Sequence, residues 1–196
     1  MAKVVCIEGP DRVGKNSQSK ALCDYLRFDG KKAVLVEVPI RDGHTYKIIY
    51  WMLQNGLAKS LPRVFQWIQC LNRLVFQTFK LTQLEHDNDY IVFDRWSLSS
   101  VVYGQAEGIS KQFCENLYRK LRKPDYTIVL LGKSHSHEAE DAYERDDCLQ
   151  ARVRELYADW SVANPYKSRV VDCTKARERV TMEIVTTLKT AGIISK

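Results

Sequence analysis

The stretch Lys3-Val-Val-Cys-Ile-Glu8-Gly9-Pro10-Asp11-Arg12-Val13-Gly14-Lys15-Asn16-Ser17 decides the fold. A short, nearly continuous apolar run gives way to a glycine-bounded loop, and then to a lysine that opens a helical pattern. Strand, glycine loop and helix in that order are the context a phosphate-binding P-loop requires. Successive backbone N–H groups and the helix N-terminus form an anion cradle, from which Lys15 reaches the outer phosphates. The cradle is expected from Gly9, Pro10, Asp11, Arg12, Val13, Gly14, Lys15, Asn16 and Ser17. One residue departs from the pattern. The hydroxyl residue that normally follows the lysine and binds Mg²⁺ is Asn16 here, whose amide oxygen is also a hard donor but has a longer reach.

Outward from this loop, short β-branched runs alternate with helical patterns to the end of the chain. Strands are expected at Val4–Glu8, Ala33–Val38, Tyr90–Asp94, Tyr126–Leu131 and Arg169–Asp172. Each is almost continuously apolar, as parallel strands covered on both faces are. Helices are expected at Lys15–Phe28, Tyr46–Gln54, Leu61–Glu85, Lys111–Leu121, Cys148–Trp160 and Ala176–Thr190, with Gly30 closing the first and Pro62 opening the third. The alternation predicts an α/β fold of three layers: a five-stranded parallel sheet flanked by helices, in one domain over residues 1–196. Ligands then belong at the carboxyl ends of the strands. There the run Tyr90-Ile-Val-Phe-Asp94-Arg95 sets a carboxylate, Asp94, where it can hold Mg²⁺, beside an arginine fork suited to phosphate.

Composition narrows the class. The chain has 196 residues and six cysteines scattered without a C-x-x-C pair, which suits a reduced, cytoplasmic protein. No signal peptide and no membrane-spanning run is expected. The net charge of +6 comes without a compact basic run or interleaved aromatics. It suits small phosphorylated ligands better than nucleic acid. His135 and His137 lie in the polar segment 133–147 without a third ligand, a weak case for a metal.

At this point the chain resembles the thymidylate kinase family. Glu8 to Lys15 with Gln18-Ser19 looks like that family's P-loop, and Asp94-Arg95-Trp96 with Ser99, Ser100 and Tyr103 like its D-R-aromatic segment. Pro39-Ile40-Arg41, Asn72-Arg73, Lys123-Pro124-Asp125, Tyr143-Glu144 and Val171 to Lys175 follow the family's order too. The resemblance implies phosphoryl transfer from ATP, with Mg²⁺, to dTMP or a close deoxypyrimidine monophosphate. It implies that Lys15, Arg12, Arg95 and Asp94 serve the transfer, and that Asn16 and Asp94 hold the metal. Asp11 would meet the acceptor 3′-hydroxyl, Arg41 and Arg95 its phosphate, and Arg73 its base edge. Ser99 lies in the acceptor segment, and Tyr103 would pack on the deoxyribose. Tyr143 and Gln150 would close from a lid at 132–147, and Thr174, Lys175 and Ala176 would lie by the adenine. A homodimer is implied as well, and the apolar surplus of the 61–85 helix hints at one. Gln69 stands where the family stacks an aromatic on the base. It opens an alternative acceptor with a polar 5-substituent, such as 5-hydroxymethyl-dUMP. Glu37, at the end of the second strand, is the candidate base of a rival deoxynucleoside kinase. The rival outside enzymology is an inactive nucleotide-binding module.

Overall fold

The structure, a computed structural model, describes residues 1–41, 44–132 and 146–195. Its sheet runs β2-β3-β1-β4-β5, built from β1 (Lys3–Glu8), β2 (Ala33–Glu37), β3 (Tyr90–Asp94), β4 (Tyr126–Leu131) and β5 (Ser168–Asp172). Every pairing is parallel. All five strands stand where the apolar runs predict them, with ends displaced by a residue at most.

Alternation along the central strand sorts the core. Val5 and Ile7 face α1 (Lys15–Phe28), whose Leu22 and Leu26 are buried, and the C-terminal helix over residues 177–190, which contributes Ile184 and Leu188. Val4 and Cys6 face the opposite layer, with Phe93 and Trp96. Side chains such as Val5, Ile7 and Val92 are wholly buried. Each contributes about 1.5–3 kcal/mol on burial, so the core holds the strand ends, and the loops they carry, in register.

The remaining helices are α2 (His44–Gln54), α3 (Leu57–Ser60), α4 (Pro62–Phe76), α5 (Thr82–Asp87), α6 (Ser97–Ala106), α7 (Lys111–Tyr118), α8 (Asp147–Ala163) and α9 (Arg177–Thr190). Two differences from expectation matter. The single helix expected over Leu61–Glu85 is interrupted by a π-helical turn, Gln77–Leu81. There Gln77 accepts a hydrogen bond from Arg122 N (2.6 Å) and donates one to Lys120 O (3.1 Å). The extra residue in the turn thus ties this layer to the loop before β4. Second, α6 was not expected at all, although it carries part of the site.

Candidate active site

The loop after β1 is shaped by what its backbone excludes. Gly9 has φ 147°, and a Cβ there would run into the Leu130 carbonyl oxygen. Gly14, at φ 82°, leads into α1 without any side-chain cap, so the first N–H groups of the helix are not claimed by a side chain. Lys15 is 6% exposed and donates from Nζ to the Pro10 carbonyl oxygen. Burial, reinforced by the Arg95 charge, lowers its pKa to about 7.

Asp11 is the centre of the site. Its Oδ1 pairs with the Arg95 guanidinium. Its Oδ2 accepts hydrogen bonds from the Tyr103 hydroxyl (2.6 Å) and Gln150 Nε2 (2.8 Å), while Asp11 N donates back to Gln150 Oε1 (3.1 Å). Burial works to raise the Asp11 pKa, but Arg95, Lys15 and these donors bring it down to about 2. The guanidinium of Arg95 also lies over the Tyr103 ring, 5.7 Å from its centroid. Among the described residues, Arg12 (φ 60°) and Arg95 (φ 65°) are the non-glycine positions in left-handed backbone. Such conformations cost about 1–3 kcal/mol each and collect at functional sites.

Glu8 anchors this corner, and sequence reasoning gave it no role. It is fully buried, and its Oε1 accepts from Trp96 N (2.8 Å) and Ser99 N (3.3 Å) at the start of α6. Its Oε2 takes the Ser99 hydroxyl and the Tyr157 hydroxyl, the latter at 3.0 Å. A carboxylate at a helix N-terminus is favourable there. The signal was present: Glu8, like Asp94, ends an apolar strand. Trp96 itself is core, stacked on Phe93 at 4.3 Å.

Asp94 is 8% exposed, and its Oδ1 has no hydrogen-bond partner. Burial raises its pKa against the pull of Arg95, Lys15 and the Asn16 amide. Asn16 presents its NH₂ to Glu37 Oε1 at 2.6 Å, so its nitrogen rather than its oxygen faces that carboxylate. Ser17 follows on the same helix, half-buried. Glu37 stands opposite Asp94 in the β2–β3 register and also pairs with Arg41 at 3.3 Å. Arg41 is largely exposed.

On α4, Asn72 bonds both backbone groups of Ile40 (2.8 and 2.9 Å) and Thr45 Oγ1 (3.0 Å), fixing the segment that follows the cis Val38–Pro39 peptide. Arg73 is 2% exposed, lies over the Tyr118 ring, and has its Nε buried without a partner. Its Nη1 donates to Gln69 O (3.0 Å) and to Gln69 Oε1 (3.1 Å), which also accepts from Ser100 Oγ (3.2 Å). The Gln69 amide oxygen is thus committed to protein donors.

Two cavities share this ground. One, of about 640 Å³, is lined by Arg12, Lys15, Asn16, Glu37, Arg41 and Asp94. The other, of about 220 Å³, is lined by Asp11, Gln69, Arg73, Ser99, Ser100 and Tyr103. Arg95 lines both. Thr174, Lys175 and Ala176 are exposed beyond β5, where Thr174 bonds Asp172 Oδ1 through N (2.9 Å) and Oγ1 (2.7 Å), and Lys175 pairs with Glu183 at 2.7 Å. Tyr143, His135, His137 and all but the ends of the expected lid lie outside the described residues.

A family model described as thymidylate kinase matches residues 7–184. The chain belongs to the thymidylate kinase family. The activity class follows: a nucleoside monophosphate kinase, with ATP as donor. The chain is 26% identical to the thymidylate kinase of Plasmodium falciparum over 200 residues, covering 93% of this chain and 88% of that one. It is 28% identical to that of Dictyostelium discoideum over 169 residues, covering 86% and 73%. The thymidylate kinase structure from Candida albicans superposes with a TM-score of 0.80 at 24% identity, covering 98% of this chain and 93% of that one. That likeness carries the fold alone, and it agrees with the parallel five-stranded sheet. Among the described residues no helix is long and apolar enough to cross a membrane.

Proposed function

We propose that this kinase transfers the γ-phosphoryl of ATP to dTMP, giving ADP and dTDP. The observation that carries the reading is the Asp11–Arg95–Tyr103–Gln150 cluster, because Arg95 stands between a phosphate loop and a pocket of about 220 Å³ with both polar and apolar walls. A dTMP phosphate oxygen attacks the γ-phosphorus in line, and the bond to the ADP oxygen breaks. The chain supplies positioning and charge rather than covalent chemistry. Lys15, Arg12 and the loop backbone hold the donor phosphates. Arg95 and Arg41 take the acceptor phosphate, with Arg41 leaving Glu37 to do so. Arg73, whose Nε lacks a partner, takes the base edge. Asp11 and Tyr103 flank the deoxyribose, and Gln150 holds Asp11. Thr174, Lys175 and Ala176 border the adenine.

The donor set fits a hard cation. Asp94 has a buried carboxylate oxygen without a partner at the strand end, with Asn16 beside it. Asp94 and Asn16 would hold Mg²⁺ there, which would supply positive charge against the phosphates. With Gln69 Oε1 committed to Arg73 and Ser100, dTMP is favoured over an acceptor with a polar 5-group.

The same reading includes a homodimer. Val64, Trp67, Leu71 and Val75 recur at helical spacing along α4 and are exposed, with Trp51 and Phe79 nearby in sequence on α2 and the π turn. Six free cysteines, five of them buried, suit a reducing cytoplasm. Steady-state kcat/KM for dTMP, dUMP, UMP and thymidine tests the reading. dTMP is expected to lead, and preference for thymidine over every monophosphate would sink it.

A further inference from the structure

The end of β2 carries a carboxylate that phosphoryl transfer, as described, does not use. Glu37 and Asp94 are paired in register on adjacent parallel strands, and both end at the donor cavity. Between them comes one neutral group, the Asn16 amide. It donates to Glu37 Oε1 at 2.6 Å and lowers the Asp94 pKa as a hydrogen-bond donor. Two carboxylates converging on one amide group set several acceptor oxygens where a single cation can reach them. The second observation is Asp94 Oδ1, buried in a side chain more than nine-tenths buried, and lacking any partner. A buried acceptor left unsatisfied is costly, more so if charged, and such a group calls for a ligand.

We infer that Glu37 is a further oxygen donor of the divalent-cation site, acting with Asp94 and Asn16. The inference rests on the kinase reading above. A P-loop with Ser or Thr after its lysine supplies a hydroxyl to the cation. Here that position is an amide, longer and with its NH₂ turned to Glu37. Rotation of the Asn16 carboxamide by half a turn brings its oxygen, rather than its nitrogen, toward the two carboxylates. The three side chains then offer a hard, all-oxygen set of the kind Mg²⁺ takes beside substrate phosphates. Glu37 has two further neighbours, Arg41 at 3.3 Å and Lys20 at 3.8 Å. Both side chains are exposed; Arg41 pairs with Oε2, whereas Lys20 approaches the same Oε1 that Asn16 holds, at a longer distance, and a cation there takes the place of its charge. Release of Arg41 from Glu37 also frees it for the acceptor phosphate, so cation binding at Glu37 and clamping by Arg41 favour one another.

Mn²⁺ is the probe, with free ion measured by its electron paramagnetic resonance signal in the presence of saturating ADP. ADP affinity is measured separately in EDTA, and thermal unfolding confirms that each variant folds. Glu37→Gln is expected to weaken Mn²⁺ binding at least fivefold while leaving metal-free ADP affinity within twofold of wild type. Glu37→Asp, one methylene shorter with its charge retained, should fall between. Mn²⁺ affinity in Glu37→Gln within twofold of wild type overturns the inference and leaves the kinase reading standing. So does full affinity in Glu37→Asp beside a weakened Glu37→Gln, because then charge alone matters. Failure of the wild type to bind ADP at all overturns both. Should Glu37→Gln not fold, Glu37→Asp carries the test. Its shorter reach should weaken Mn²⁺ binding measurably at unchanged metal-free ADP affinity, and wild-type Mn²⁺ affinity contradicts Glu37 as a ligand.

Discussion

Raising the pH from 7 to 9 perturbs one group in the donor site above all. Lys15 is buried, its ammonium is held by the Pro10 carbonyl, and burial together with Arg95 brings its pKa to about 7. At pH 8, one unit above that value, the side chain is about nine-tenths neutral. A polyphosphate beside Nζ favours the charged form, so nucleotide binding at pH 8 should take up about 0.9 proton per site. Affinity should fall by as much as about tenfold per pH unit above pH 8 while the bound-state pKa stays higher. Stability follows the same linkage. The folded pKa lies below the ordinary 10.5, so the unfolded chain binds more protons between pH 7 and 10.5. The contribution to stability is full above that window and is lost as pH falls through it. Calorimetric titration with ADP at pH 8, in two buffers of different ionisation enthalpy, reads the proton directly. Lys15→Met should abolish the uptake. Uptake below about 0.2 proton in the wild type would refute the reasoning, since a lysine of ordinary pKa is already charged.

Three substitutions probe other parts of the account. Gly9→Ala places a methyl against the Leu130 carbonyl at a φ that L-residues rarely adopt, and should cost about 2–4 kcal/mol by urea unfolding. Asn72→Ala leaves the Ile40 N–H and C=O without their bonds, so a loss of about 2–4 kcal/mol in the same assay is expected, with a raised KM for dTMP as Arg41 loses its footing. Gln69→Phe removes an acceptor from Arg73 and Ser100 but adds a ring face for the base. It should hold or raise kcat/KM for dTMP relative to dUMP, and a selective loss for dTMP would show that the amide itself reads the base.

The fold was legible because its strands are buried on both faces. Val4 to Glu8 and Tyr90 to Asp94 could not be read otherwise, and the P-loop glycines fix the turn between strand and helix by backbone geometry. Helix α6 was not legible. Ser97-Leu-Ser-Ser-Val-Val-Tyr-Gly-Gln-Ala mixes β-branched, serine and glycine residues of modest helix propensity. What starts it is Glu8, 88 positions away from Trp96, a tertiary cap that no local pattern announces. The π turn at Gln77 was hidden for the same reason, since its partners lie beyond residue 119. In the site, Arg95, Lys15 and Asp11 were expected together and are found together. The sharing of Asp11 between Arg95, Tyr103 and Gln150 was not readable, because each of those side chains arrives from a different element. Asn16 was read as a metal ligand from its place after Lys15. Its NH₂ faces Glu37 because two strand ends converge there, a fact of sheet register rather than of sequence.

Phosphoryl transfer to dTMP is the central claim, and a single-turnover experiment with ATP labelled at the γ-phosphate tests it most directly. With enzyme in excess and dTMP and Mg²⁺ present, the account predicts label in the β-phosphate of dTDP. Lys15→Ala should remain folded and transfer at least about a hundredfold more slowly, a barrier increase of about 2.7 kcal/mol. Label appearing in inorganic phosphate instead of dTDP, or Lys15→Ala transferring within about threefold of wild type, would contradict the account.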